Sequence, residues 1–180
     1  MKYALIGCGR ISTNHVKAVI NNNLEFVAVC DVVPEHMEEV LAKHDLQNDT
    51  SIKRYTDYKK LVEENELDLV GIATESGIHA EIALYCIEHN INVIIEKPMA
   101  MSIEDADKII KLSEEKGVKV SACHSESFLI IAVQEMRKAL EAGRFGSYLM
   151  VLFMCVGTET RIIIHRRHGE EHGLRTVERL

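Results

Sequence analysis

Residues 3–12 read YALIGCGRIS. A short apolar run stops at two glycines, and a helical pattern, RISTNHVKAVINN, begins at once. Gly7-Cys8-Gly9-Arg10-Ile11-Ser12 is G-x-G-x-x-S, with the third glycine of the usual turn replaced by a small residue. In such a turn the first glycine bends tightly and the second lets backbone approach a pyrophosphate. The helix N-terminus supplies amide donors and the positive end of its dipole. Alone the pattern is weak, but its context is right: EFVAVCD reads as a second strand, and Asp31 ends it 22 residues after Gly9. A carboxylate there accepts hydrogen bonds from ribose hydroxyls and repels a 2′-phosphate, which predicts NAD rather than NADP. The plainer alternative is an aspartate that caps a turn.

Outward from this unit the alternation continues. VVPEHMEEVLAKH reads as a helix opened by Pro34, followed by strand DLVGIAT, helix GIHAEIALYCIEHN, strand INVIIEKP, helix SIEDADKIIKLSEEKG and strand VKVSAC. Ser102 suits the N-cap of the last helix, Asp105 its first turn and Gly117 its stop. Apolar strands separated by helices predict an α/β fold, a Rossmann-like doubly wound parallel sheet covered on both faces. Residues 1–122 are expected to form the nucleotide domain and 123–148 to begin a connection, with a crossover helix near 131–142 and a strand near 147–155.

The bulk numbers bound the function. A chain of 180 residues is long enough for one domain with a real core. A formal net charge of −7 argues against nucleic acid as a partner. No run of 18 apolar residues suggests a membrane span, and the N-terminus lacks a signal peptide's apolar stretch. Five cysteines without C-x-x-C spacing read as free thiols in a reducing cytoplasm, with Cys30, Cys86 and Cys123 as buried small residues.

Two further stretches carry candidate chemistry. Glu96-Lys97-Pro98 ends the strand NVII, at the edge of a parallel sheet where ligands bind. Lys97 there could serve as general acid/base on a substrate hydroxyl; on position alone a solvated strand-end lysine fits equally well. TESGIHAEIA places Thr74 at a strand end and His79 at a helix start, also toward the cleft. A lone histidine at such a place is more often a cap or packing residue than a catalyst.

Taken together, GCGRIS…NH, CD, T-x-S-G-x-H, EKPMA-x-S and ALEAGRFG resemble the glucose–fructose oxidoreductase / inositol dehydrogenase (Gfo/Idh/MocA) family in order and spacing. NVIIEKPMAMSIEDADKII…EKGVKVSACH is similar to that family's UDP-N-acetylglucosaminuronate 3-dehydrogenases of lipopolysaccharide pathways. The resemblance covers residues 1 to about 148. It implies that Gly7, Gly9, Arg10, Ile11 and Asp31 hold NAD. It also implies that Thr74, His79 and Glu96 line the cofactor cleft and that Lys97 is the catalytic lysine. The implied reaction is hydride transfer from a sugar or nucleotide-sugar carbon to the nicotinamide. The family's second domain, with its substrate contacts, catalytic histidine and homo-oligomer interface, is expected to be largely absent from this chain. A non-catalytic NAD-binding module is therefore the alternative function.

Two segments depart from the family pattern. CHSESFLIIAVQ stands where the subgroup reads C-H-Q-N-R-F-N-x-A-V-Q, and residues 125–128 can be encoded so that a one-base slip restores Q-N-R-F. The tail behaves alike: regrouped by one base, residues 153–178 permit a run of family-like residues. The expectation is that residues 125–131 are a short compensated slip and residues from about 149 onward an out-of-frame translation, which requires a second-domain reading frame in a shifted phase of the encoding DNA; a genuinely divergent tail is the alternative. Within this tail, RIIIHRRHGEEH spaces His165, His168 and His172 as a helical metal site would. No companion ligand cluster accompanies them in sequence, so no metal is expected there. The strand near 147–155 is expected to lack a partner sheet.

Overall fold

The computed structural model describes residues 1–123, 134–135, 138–139 and 141–144, together with the backbone of strands at 148–156, 159–166 and 175–177. The chain forms two units, Met1–His124 and Ser125–Leu180.

In the first unit, β1 (Lys2–Ile6), β2 (Glu25–Cys30), β3 (Lys53–Tyr55), β4 (Leu69–Ile72), β5 (Asn92–Ile95) and β6 (Val120–Ala122) form one sheet. Its order is β3-β2-β1-β4-β5-β6, with every pair parallel. The helices are α1 (Ser12–Asn21), α2 (Pro34–Ala42), α3 (Tyr58–Glu63), α4 (His79–Glu88) and α5 (Ile103–Lys116). This is the doubly wound sheet that the alternation of apolar runs predicts.

Strand side chains alternate between two cores. Ala4, Ile6, Ala28, Cys30, Val70, Ile72, Val93 and Ile95 pack with Leu61 of α3, Ile82 and Ile87 of α4 and Ile109 of α5. Tyr3, Leu5 and Val29 pack on the opposite face with Val16 and Val19 of α1 and Met37 and Leu41 of α2. Burial on both faces explains why the strands are continuously apolar, and each fully buried Leu or Ile contributes about 1.5–3 kcal/mol.

Helix ends follow their sequence signals. Pro34 opens α2. The Ser102 hydroxyl accepts from the Asp105 amide at 3.1 Å, and Gly117 ends α5 at φ 68. Ser102→Ala is expected to lower stability by about 1 kcal/mol, read as a shift in urea midpoint at unchanged slope.

Two elements carried no visible signal. β3 is three residues long and charged, and α3 has a single turn and a half, started by Asp57, whose side chain accepts from the Lys59 amide. The loop before β3 is organised by one side chain: the Arg54 guanidinium donates to the carbonyls of Gln47, Asp49 and Ile52. Among the described residues no helix is long and apolar enough to cross a membrane.

In the second unit, residues 134, 135, 138, 139 and 141 are helical; the rest of the crossover helix expected near 131–142 lies outside the described residues, as does the segment 125–131. β7 (Tyr148–Val156), β8 (Glu159–Arg166) and β9 (Arg175–Val177) form an antiparallel sheet in the order β7-β8-β9. The expectation that the strand near 147–155 lacks a partner is thus corrected: its backbone pairs with β8, Val151 in register with Ile164 and Phe153 with Ile162. The run Ile162-Ile163-Ile164 favours an extended chain, because β-branched side chains fit a strand better than a helix. His165 therefore lies on a strand, where three-and-four spacing does not stack side chains. His168 and His172 lie outside the described residues.

Candidate functional site

The strand order reverses between β1 and β4, and a crevice opens there at the carboxyl ends of the strands. Gly7 leaves β1 with φ 94, and its amide donates to the Cys30 carbonyl at 2.8 Å. The chain passes so close to β4 that a Cβ on Gly7 would lie 2.5 Å from the Ala73 carbonyl carbon and the Thr74 nitrogen. A Cβ on Gly9 would meet no protein atom within 4 Å. That glycine faces open space, as a backbone cradle for a ligand must.

Ser12, standing where a third glycine is usual, is 1% exposed, and its hydroxyl donates to the Gly9 carbonyl. The site needs a small residue for close packing, and serine satisfies that while closing the turn. No side chain caps α1 at Ile11; the Ser12 and Asn14 amides donate instead to the Gly9 and Ile11 carbonyls.

Asp31 both caps a turn and lines the crevice, so its two sequence readings do not exclude each other. One carboxylate oxygen accepts from the Cys8 amide at 2.7 Å. The other accepts from the Val33 amide at 2.9 Å and lies 3.2 Å from His36 Nδ1. A carboxylate has about four acceptor positions, so the oxygen facing Cys8 keeps one for a hydroxyl. The side chain is 11% exposed. Burial and the Asp31 charge push the Cys8 thiol well above its ordinary value, which keeps it neutral.

The crevice has a volume of about 600 Å³. Gly7, Gly9, Arg10, Ile11, Asp31 and Thr74 lie around it. Sequence reading missed Val32, Val33, His36, Tyr58 and Glu75 in the same lining. Val32 and Val33 follow the acidic residue directly and present apolar surface at the end of β2, a signal available in VCDVV.

Glu96, Lys97 and His79 are not part of that lining. His79 is 1% exposed, with Nδ1 2.8 Å from the Pro98 carbonyl and Nε2 3.0 Å from the Thr74 carbonyl. It ties two strand-end loops together and is not presented to the crevice. The Glu96 carboxylate turns inward, 3.2 Å from His15 Nε2 and 3.3 Å from the Lys97 amide. Burial first, then the Glu96 charge and hydrogen bond, push the Cys123 thiol up to about 11. Lys97, after the inward-turned Glu96, is exposed at the strand end.

Residues 1–124 match the oxidoreductase family described by its NAD-binding Rossmann fold. The chain is 26% identical to inositol 2-dehydrogenase of Salmonella typhimurium over 153 residues, covering 84% of this chain and 44% of that protein. Over 94 residues it is 38% identical to a glycosyl hydrolase family 109 protein of Bacteroides fragilis, covering 50% of this chain and 20% of that one. The crystal structure of the WlbA dehydrogenase from Bordetella pertussis, in complex with NADH and UDP-GlcNAcA, superposes with a TM-score of 0.73 at 29% identity. That match covers 85% of this chain and 46% of WlbA. The chain thus spans less than half the length of these relatives. The glycine turn, the acid at the end of β2 and the match across both of them lead to one conclusion: this chain belongs to the oxidoreductase family built on the NAD-binding Rossmann fold.

Proposed function

We propose that the crevice between β1 and β4 holds NAD and serves hydride transfer from a hydroxyl-bearing carbon of a sugar or nucleotide sugar of the UDP-N-acetylglucosaminuronate type. The observation that carries this reading is the Gly7–Ser12 turn held against Asp31 at the point where the strand order reverses. Bound there, NAD supplies the hydride acceptor. The chain's own residues bind and orient it. Amides of the Gly9–Ile11 turn face the pyrophosphate, the free acceptor of Asp31 takes a ribose hydroxyl, and Val32 and Val33 offer an apolar wall to the base. The Asp31 charge disfavours a 2′-phosphate. Thr74 and Glu75 also line the crevice. Lys97 Nζ, acting as the neutral amine, takes the proton of the substrate hydroxyl as hydride leaves the carbon that bears it.

The family resemblance in NVIIEKPMA supports the role of Lys97, and likeness to WlbA supports a nucleotide-sugar substrate. NAD titration followed by absorbance of the reduced cofactor with UDP-N-acetylglucosaminuronate tests the proposal. Binding with reduction is expected, and Lys97→Ala should slow reduction by about 10²–10⁴-fold without weakening NAD binding. Binding without reduction would assign the chain to a non-catalytic NAD-binding module. No binding of NAD would sink the reading altogether.

A further inference from the structure

Beneath the strand ends, away from the crevice lining, three side chains of different donor type converge. They are His15 from α1, Glu96 just after β5 and Cys123 just after β6, with ligand atoms all within 4.8 Å of one another. His15 is buried, and Glu96 and Cys123 are partly buried. We propose that His15, Glu96 and Cys123 form a site for one divalent cation of the zinc class.

The donor set decides the class of ion. One imidazole nitrogen, one carboxylate oxygen and one sulfur suit a borderline-soft cation, whereas magnesium and calcium take oxygen ligands. Bonds of about 2.0–2.3 Å in a tetrahedron put ligand atoms about 3.3–3.8 Å apart. The His15–Glu96 pair is already 3.2 Å apart. The Cys123 sulfur lies within 4.8 Å of both. A carboxylate and a thiolate together balance the two positive charges, and the fourth position is left for water.

The surroundings are built around this group. The Tyr3 hydroxyl lies 3.3 Å from His15 Nδ1, the nitrogen facing away from Glu96. A metal-bound histidine commonly donates its other ring N–H to such a partner, which fixes the ring and its tautomer. Gly71 of β4 makes room for that pair: a Cβ there would overlap the Tyr3 hydroxyl and lie 3.1 Å from His15 Nδ1. The three ligands come from a helix and two strand ends of the same sheet, so their spacing is set by the scaffold. His15, Glu96 and Cys123 all lie outside the crevice lining, and metal binding by them does not depend on hydride transfer.

Cobalt(II), which reports a thiolate ligand through near-ultraviolet charge-transfer absorption, is the probe. Titration of the full metal-free chain is expected to give a sulfur-to-cobalt band that saturates at one equivalent. Zn²⁺ should displace it and Mg²⁺ should not. His15→Gln and Cys123→Ser should each abolish the band, whereas replacing His165, His168 and His172 together should leave it intact. Because either single variant could disturb folding, a second measurement uses the unsubstituted chain. Zn²⁺ should slow alkylation of Cys123, located by peptide mass, at least about 10-fold relative to Cys30 and Cys86. A missing cobalt band, a band that survives Cys123→Ser, or no protection of Cys123 would overturn the site. The three groups would then be a hydrogen-bonded cluster and nothing more.

Discussion

Gly7→Ala is expected to lower unfolding free energy by about 3–5 kcal/mol, a very large effect for one methyl group. Two costs combine. A φ of 94 is a conformation that an L side chain adopts only under strain. The added Cβ would also sit 2.5 Å from backbone atoms of Ala73 and Thr74, which directly follow β4, with the Ala73 amide held by the Ile6 carbonyl at 2.7 Å. Relief would require β1 and β4 to part at the base of the crevice. A lowered urea midpoint with an unchanged slope is the expected signature. Gly9→Ala is the control, since its Cβ would meet no protein atom. That variant should keep its midpoint and lose NAD affinity by about 10-fold or more, because the methyl stands where the pyrophosphate approaches. If Gly7→Ala is as stable as the parent, the close passage of β1 over β4 is wrong.

Asp31→Ala is expected to damage both stability and selectivity. The Cys8 and Val33 amides would each lose a charge-assisted acceptor, and a buried donor left unpaired costs about 1–3 kcal/mol. The turn that carries Gly7 and Gly9 is anchored through the first of these bonds, so NAD affinity should fall by about 10²-fold. Affinity for NADP should fall less, because the charge that opposes a 2′-phosphate is removed along with the anchor. Dissociation constants for both cofactors, measured by fluorescence quenching, check this. An unchanged ratio between them would show that Asp31 only caps a turn. Asp31→Asn separates the two roles. It keeps one acceptor oxygen for the turn and should retain more stability than alanine, while still losing the preference for NAD.

The nucleotide half was legible because its signals are local and mutually consistent. Strand YALIG, the glycine turn, the helix after it and Asp31 all state one βαβ unit, and Ser102 and Gly117 mark both ends of α5. What escaped depends on contacts between distant segments. β3 has three residues and pairs by position at the sheet edge, so no periodicity announces it. His79 sits at the right place in sequence to line the crevice, yet both its nitrogens are engaged by carbonyls 5 and 19 residues away. Glu96 likewise turns inward because His15, 81 residues earlier, waits there. Gly71 gave no hint of its purpose, since only the Tyr3 hydroxyl lying over it explains why no side chain fits. In the tail, the isoleucines before His165 place it on β8.

The bridge made by His79 has a mechanical meaning. With one ring nitrogen at the Thr74 carbonyl and the other at the Pro98 carbonyl, the imidazole is a strut between the loop bordering the crevice and the loop bearing Lys97. The two loops are separate in sequence, and the buried ring stands between them, its single N–H in the neutral form donating to one of the two carbonyls. The positions of the crevice border at Thr74 and of the strand end at Lys97 are thus set by one shared side chain.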